Sequence, residues 1–476
     1  MRTVLSESRN TNWSKAVYTM GNVNIPFTYE KMKALPYNDL KTDLKWSIDE
    51  NDQKRALKYI ESILLMIRTK VLLNHGDLAK TEIVWFYPAS MTEDRYNTFS
   101  AEWNKCYRKL FGGSENNIVS MSESIAPFYY HNTEGGATST VVSIDIGGGT
   151  TDVMIVDNDE PKYLTSFRFA ANTIFGDGYS FASKSNGFVN KYLPEIAQKL
   201  GENSLGELQG FLSSVVEKNK STDIIAFFFS LANNKEIIRN NIEIDFGKSL
   251  SNDGRGKYAI LMFYTAILYH IANIMKDKGI NMPRHITFSG NGSKVISILT
   301  PSKTTLSDYT KLIFESIYNE SYNKNGLEIH HSPEDSKEAT CKGGIKHFDE
   351  QKPDEIDRMK TILLGTTDVK YADRMLYRDI DATTIDSVVN SVTSFINFFF
   401  SLSDKFSFKS KFGIDISIIE DIRDICYLDI DNYLNQGLKH KKEKENVGDN
   451  ESIEETLFFY PLTGIINAIV RNMYKI

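Results

Sequence analysis

Cysteine is scarce: Cys106, Cys341 and Cys426 are the only three in 476 residues. They are widely spaced, which suggests neither a zinc site nor a disulfide framework and fits a reducing, cytoplasmic setting. An excess of positive charge is absent too. The formal net charge is −7, so the chain carries no electrostatic footprint for nucleic acid. No uninterrupted apolar run approaches the ~20 residues that span a bilayer. The stretch Tyr258 to Met275 comes nearest, but Thr265 and His270 break it and Lys257 and Lys276 bound it, which predicts a buried helix. Met1 to Ser14 has no apolar centre and is no secretory signal. Leu457 to Tyr474 contains Pro461, Asn467 and Arg471, and reads as a docking helix more than a membrane anchor. The length suffices for two or three lobes with their own cores.

What is present centres on one octapeptide, Asp145-Ile146-Gly147-Gly148-Gly149-Thr150-Thr151-Asp152, set between the apolar runs Val141 to Ile144 and Val153 to Val156. Two β-branched strands joined by a glycine turn predict a hairpin. Three successive glycines also let backbone N–H groups point into one concavity that suits phosphate oxygens. Thr150 and Thr151 add hydroxyl donors, and Asp145 at the strand end can hold a hydrated divalent cation. A plain glycine hairpin is the bland reading. The order of acid, glycines, threonines and second acid favours phosphate.

This octapeptide resembles the second phosphate-binding loop of the actin-like ATPase superfamily, which includes actin, DnaK-type chaperones, FtsA, plasmid-segregation actins and, more distantly, sugar kinases. Other stretches are similar to that family's landmarks. Phe86-Tyr87-Pro88-Ala89-Ser90 looks like its strand-to-helix step. Ser122-Glu123-Ser124-Ile125-Ala126-Pro127 looks like the first segment connecting the lobes, and Asn172 to Tyr179 like the glycine turn beside the cleft. Ile286-Thr287-Phe288-Ser289-Gly290-Asn291-Gly292-Ser293-Lys294 resembles the adenosine loop, and Lys337 to Ile345 the second connecting helix, where small residues let two helices cross. Simpler readings stand beside these: Glu123 as an acid favoured in a helix's first turn, and Gly343-Gly344 as a helix C-cap.

The resemblance implies an α/β, actin-like (ribonuclease-H-like) two-lobed fold with mixed sheets. Residues 1–135 would form the first lobe, 136–345 the second lobe with its phosphate and adenosine loops, and 346–476 a mostly helical C-terminal extension. It implies ATP and Mg²⁺ as cofactors. Gly147, Gly148, Gly149, Thr150 and Thr151 would cradle the β- and γ-phosphates, and Asp145 would position the hydrated Mg²⁺ as a catalytic and metal residue. Glu123 would orient the attacking water. Gly290, Asn291, Gly292 and Ser293 would hold the adenosine, while Asp152 braces the loop. Lobe closure on ATP would regulate a protein partner or self-assembly.

One family element is missing from the sequence. The first phosphate loop needs Asp-x-Gly followed by Thr or Ser, and nothing in Met1 to Leu73 supplies it. Three readings follow. The chain is an ATPase completed by a loop supplied elsewhere, the C-terminal portion of a larger ATPase, or a degenerate scaffold without catalysis. Phosphoryl transfer rests on positioning and electrostatics, so half a phosphate shell costs several orders of magnitude in rate.

Local patterns predict helices near Ala56 to Val71, Glu93 to Phe111 (capped by Thr92) and Thr384 to Leu402, and one starting near Ser122. They predict strands at Glu82 to Tyr87 and Ile118 to Ser120. The aromatic run Phe227-Phe228-Phe229 reads as core, inside a variable stretch of the second lobe. The charge-dense stretch Leu438 to Glu455 is expected to be a loop or solvated linker.

Overall fold

The computed structural model describes residues 2–8, 18–23, 38–41, 49–87, 91, 93–123, 126, 140–157, 160–179, 186–217, 220–323, 326–331, 338–349, 375–445, 447–453 and 455–474. The expected Thr92 cap and most of the helix expected after Ser122 lie outside these residues.

Three strands open the chain: β1 (Arg2–Ser8), β2 (Tyr18–Val23) and β3 (Asn38–Lys41), in the order β2-β1-β3 and antiparallel throughout. β1 and β2 thus form an antiparallel pair at the N-terminus, where the sequence lacks the Asp-x-Gly motif of a first phosphate loop. Residues 9–17, which join β1 to β2, contain neither Asp nor Gly. They offer no acid for a cation and no glycine for a close phosphate.

Helix α1 (Glu50–Leu73) follows, its N-terminus capped by the Asp49 carboxylate, which accepts from the Asn51 and Asp52 amides. It buries Ala56, Ile60 and Leu64, the i, i+4 stripe its sequence foretold. The stripe packs on α2 (Glu93–Phe111) and on the parallel pair β4 (Ile83–Tyr87) and β5 (Ile118–Ser122), where Trp85, Tyr107 and Phe111 complete a small core.

The second sheet holds the glycine hairpin. Strands β6 (Val141–Ile146), β7 (Thr151–Asp157) and β8 (Glu160–Phe167) form an antiparallel meander. β9 (His285–Ser289) and β10 (Glu328–His331) add parallel strands on the free side of β6, giving the order β10-β9-β6-β7-β8. This mixed sheet, with helices packed on it, is α/β layering. Alternation sends Val142, Ile144, Ile146, Val153 and Ile155 into the main core. The opposite face of the meander presents Met154, Val156 and Leu164 to Met121 and Ala126 at the end of the β4–β5 layer. The register pairs Asp145 directly with Asp152, so both acids lie on this second face.

Between β8 and β9 run α3 (Ala171–Phe175), α4 (Gly187–Glu202), α5 (Gly206–Glu217), α6 (Ser221–Leu231), α7 (Lys235–Arg239), α8 (Phe246–Asn252) and α9 (Gly254–Asp277). Phe227 and Phe228 are fully buried in α6, as their run suggested. Helix α9 is apolar enough to cross a membrane by length and composition, yet 89% of its apolar window is buried inside the fold. Apolar residues all round mark a central core helix here.

After β9 come α10 (Ile296–Leu299), α11 (Lys303–Tyr318), β10, α12 (Glu338–Asp349), α13 (Ala382–Lys405), α14 (Phe408–Phe412), α15 (Ile416–Tyr427), α16 (Ile430–Glu445) and α17 (Phe459–Met473). Helix α13 also has the length and composition of a span, and it directs Phe395, Ile396, Phe399 and Leu402 inward. The C-terminal helices share the main core instead of coating it. Phe459 of α17 stacks on Phe167 at 4.2 Å and on Phe169 at 4.6 Å, and the Asn467 amide donates to the Thr173 carbonyl at 3.1 Å. Pro461 sits in the first turn of α17, where its missing N–H has no intrahelical partner to lose.

The expected linker between Leu438 and Glu455 is corrected: α16 continues to Glu445. Its buried stripe is Ile430, Leu434, Gly437 and Lys441, a helical spacing that includes a glycine and a charge. A Cβ on Gly437 would come within 2.8 Å of Tyr460, so the glycine sets a close crossing with α17. Lys441 ends in a buried ion pair with Glu455 at 2.6 Å. Glu455 also accepts from the Tyr460 hydroxyl and from the Arg168 amide, both at 2.9 Å.

Candidate functional site

The turn of the glycine hairpin closes with the Gly147 amide donating to the Thr150 carbonyl at 2.8 Å. None of Gly147, Gly148 and Gly149 adopts a left-handed φ, so turn geometry alone is no reason for three glycines. The start of α3 fixes the outward side of the loop. The Asn172 amide donates to the Gly148 carbonyl at 2.8 Å, and the Ala171 amide to the Gly147 carbonyl at 3.3 Å. In a trans peptide the next N–H points opposite its carbonyl. The N–H groups of Gly148 and Gly149 therefore face away from α3, side by side. Both residues are exposed. A Cβ on Gly149 would meet nothing within 4 Å, and one on Gly148 only the Asn172 side chain at 3.7 Å. Two parallel donors with open space before them make an anion cradle.

Asp145 stands at the base of this cradle. Its Oδ2 accepts from the Ser289 hydroxyl at 3.0 Å, across the β6–β9 register that pairs the two residues. Gly290 and Gly292 follow Ser289 and press against the hairpin. Gly290 has φ 79° and ψ 153°, a region open almost only to glycine. A Cβ there would collide with the Ile146 carbonyl and Asp145 Oδ1; on Gly292 it would collide with the Gly147 carbonyl. The loop of residues 290–293 thus buttresses the cradle from behind. Ser293 is buried and donates to the Gly290 carbonyl at 2.7 Å, with His331 Nε2 3.2 Å away. Burial, with Lys303 adding to it, holds His331 below the usual histidine range. Asn291 is exposed at the tip.

No protein-family model matches the chain, and no curated protein matches it in sequence. Among solved structures it is similar to MreB5 of Spiroplasma citri bound to AMPPNP, at 14% identity and a TM-score of 0.35, over 75% of this chain and 90% of that one. The ADP-bound form of the same protein gives 14% identity and a TM-score of 0.34, over 73% and 91%. The ethanolamine utilization protein EutJ from Carboxydothermus hydrogenoformans gives 11% and 0.29, over 65% and 80%.

The structure brings Asp145, Gly147, Gly148, Gly149 and Thr150 together with Gly290, Asn291, Gly292 and Ser293, residues about 140 positions apart in sequence. One expected role is corrected by geometry. Thr151 is fully buried and donates to the Phe169 carbonyl at 2.6 Å, so it anchors the hairpin to the core and does not face the cradle. Gly290 and Gly292 set their missing side chains against the hairpin backbone. Asp152 is buried at 2% exposure beside Asp145. Glu123 lies in the turn after β5, its amide donating to the Tyr87 carbonyl at 2.8 Å. It connects to the hairpin through Met121, which packs with Met154 and Val156.

In α12, Gly344 lies against the ring of Phe86 on β4, with no room for a Cβ. The small residue there admits a strand's aromatic side chain. Gly178 has φ 54°, and a Cβ there would be 2.6 Å from Asn467 of α17. Asp177 accepts from the Ser221 amide and hydroxyl at the start of α6.

Two residues at the site had no assigned role in sequence. Ser289 orients Asp145; its place just before Gly290 was the available signal. Asn172 borders the cradle, and only the register of α3 against the turn reveals it.

Proposed function

We propose that the chain is an actin-like nucleotide-binding protein that takes the phosphates of ATP on the hairpin of residues 147–150. The observation that carries this reading is the outward-facing pair of amides on Gly148 and Gly149, opposite the carbonyls held by α3. The donor set suits a polyphosphate: backbone N–H groups, the half-buried Thr150, and a carboxylate at the strand end. Bound Mg²⁺ would supply charge neutralisation for the phosphate oxygens. Asp145, held by Ser289, would fix a water on that ion, and Glu123 would orient the attacking water. Asn291, exposed on the buttressing loop, would border the nucleoside. If the closed arrangement of the two layers binds ATP better than the open one, the nucleotide shifts the protein towards closure, and a partner or further copies of the chain read that change.

A specific observation favours a second reading, the non-catalytic scaffold. Thr151 and Ser293 spend their hydroxyls inside the fold, and residues 9–17 lack Asp and Gly. In that reading the hairpin is retained for packing, and ATP does not bind.

Calorimetric titration of the full chain with ATP and Mg²⁺, beside Asp145→Ala, separates the two. Binding in the micromolar range, weakened at least ~10-fold (about 1.4 kcal/mol) in the variant, is the expected result. No heat of binding from a folded wild-type chain would leave the scaffold as the function.

A further inference from the structure

At the other end of β9 from Ser289, the sheet edge gathers three metal-ligating side chains. His285 begins β9, and Glu328 and His330 lie on the parallel edge strand β10, where Glu328 pairs with His285 and His330 with Thr287. Alternation puts all three on one face, with Ile329 and His331 between and after them on the other. His285 Nδ1 and His330 Nε2 are 3.1 Å apart. Glu328 Oε2 is 3.7 Å from the first and 4.0 Å from the second. We propose that His285, Glu328 and His330 form a binding site for a zinc-class divalent cation that ties the edge strand to its neighbour.

The distances favour a metal over simpler accounts. Two nitrogens bound at about 2.0–2.1 Å to a tetrahedral ion stand about 3.3 Å apart. The two imidazoles already hold nearly that spacing. A hydrogen bond between neutral histidines would explain the nitrogen pair alone. It needs no carboxylate converging on the same point, and Glu328 is exposed enough to close the last few tenths of an ångström by rotation. Both nitrogens must offer a lone pair. Three protein ligands leave a fourth position for water or an exogenous group. The donor set, two imidazoles and one carboxylate, selects zinc and its late transition-metal neighbours over magnesium or calcium.

The site is distinct from the phosphate cradle. Ser289 lies four residues along β9, about 13 Å away at ~3.3 Å per residue. The two are joined mechanically, however. His331, next to His330, faces the opposite way and touches Ser293 of the buttressing loop. A cation that fixes β10 therefore steadies the strand behind that loop.

The test is titration of the metal-free full chain with zinc chloride by calorimetry at neutral pH, alongside His330→Ala and Glu328→Gln. One saturable site per chain is expected, at least ~10-fold weaker in His330→Ala, with a smaller loss in Glu328→Gln. Zinc should also raise the melting temperature of the wild type and not that of His330→Ala. Cobalt(II) in place of zinc should give the visible absorption bands of a four-coordinate site. Both substituted side chains are exposed, and melting without metal checks that the variants fold. Absence of a one-to-one zinc site would overturn the proposal. So would equal zinc binding by wild type and both variants, which would put the ion elsewhere, as on exposed Cys341.

Discussion

Gly149 and Gly290 are both glycines of the candidate site, yet the fold asks opposite things of them. Gly149 has an ordinary φ and open space where a side chain would go. Gly149→Ala should therefore change stability by no more than about 0.5 kcal/mol. It should nonetheless weaken nucleotide binding, because a methyl group enters the cradle. Gly290 lies in a glycine-only region and abuts the Ile146 carbonyl. Gly290→Ala should cost about 1–3 kcal/mol from backbone strain alone, with the collision adding to it. Denaturant melts of the two variants, followed by ATP titration of the stable one, check the pair. A Gly149→Ala variant that melts early would mean the tip is structural. The octapeptide was legible as a hairpin because β-branched alternation flanks its glycines. The direction of its amides was not, since that depends on α3 capturing two carbonyls. Thr151 departs from its expected role for a related reason: strand alternation sends it to the core face with Val153, while Thr150 stays in the turn.

At the scale of elements, the clearest weakness to acid lies where α16, α17 and β8 meet. Burial by itself would raise the Glu455 carboxyl, but Lys441, Arg168 and their hydrogen bonds bring it below the usual carboxylate value. A depressed carboxylate contributes stability that is present above its unfolded value, about 4.3, and lost as pH falls through the lower folded value. His270 acts in an earlier window. It is buried among Phe167, Phe458 and Phe459, and burial lowers it to about 3. The unfolded histidine takes its proton near pH 6.5 and the folded one does not, so stability drops progressively below about 6.5. Melting the wild type and His270→Phe between neutral pH and about pH 4.5 should show a shallower decline in the variant. Equal slopes would mean that His270 is not the group responsible. Lys441→Met, which leaves Glu455 buried without its hydrogen-bonded ammonium partner, should cost about 3–5 kcal/mol at neutral pH. Lys441 also helps to hide α16 in the sequence. Its inward stripe contains Gly437 and Lys441, and a pattern that counts apolar residues passes over both. The histidine cluster was equally invisible, because His285 and His330, 45 positions apart, meet only through the parallel register of β9 and β10.

At the scale of the whole molecule, the α/β layering and the helical character of the C-terminal part could be read from strand and helix periodicities. The way they combine could not. The extension drawn at residue 346 on a family resemblance contains α17, which lies in the same core as the glycine hairpin. Its ring at Phe459 fills the space between Phe167, where the meander ends, and Phe169, the residue whose carbonyl receives the Thr151 hydroxyl. Val470 is packed so closely on α4 that Gly187 has no room for a Cβ, and Tyr474 joins Lys191 and Tyr192 on the Asp253 carboxylate that caps α9. Removing residues 346–476 would strip the main core of these aromatic contacts and expose α9, whose apolar surface then has only water to face. The expected outcome is that residues 1–345 alone fail to melt cooperatively and are cleaved rapidly by protease, whereas the full chain shows a sharp transition. If the shortened chain instead melts cooperatively, the C-terminal helices are an addition after all. ATP titration of that shortened chain would then place the phosphate cradle wholly within the first 345 residues.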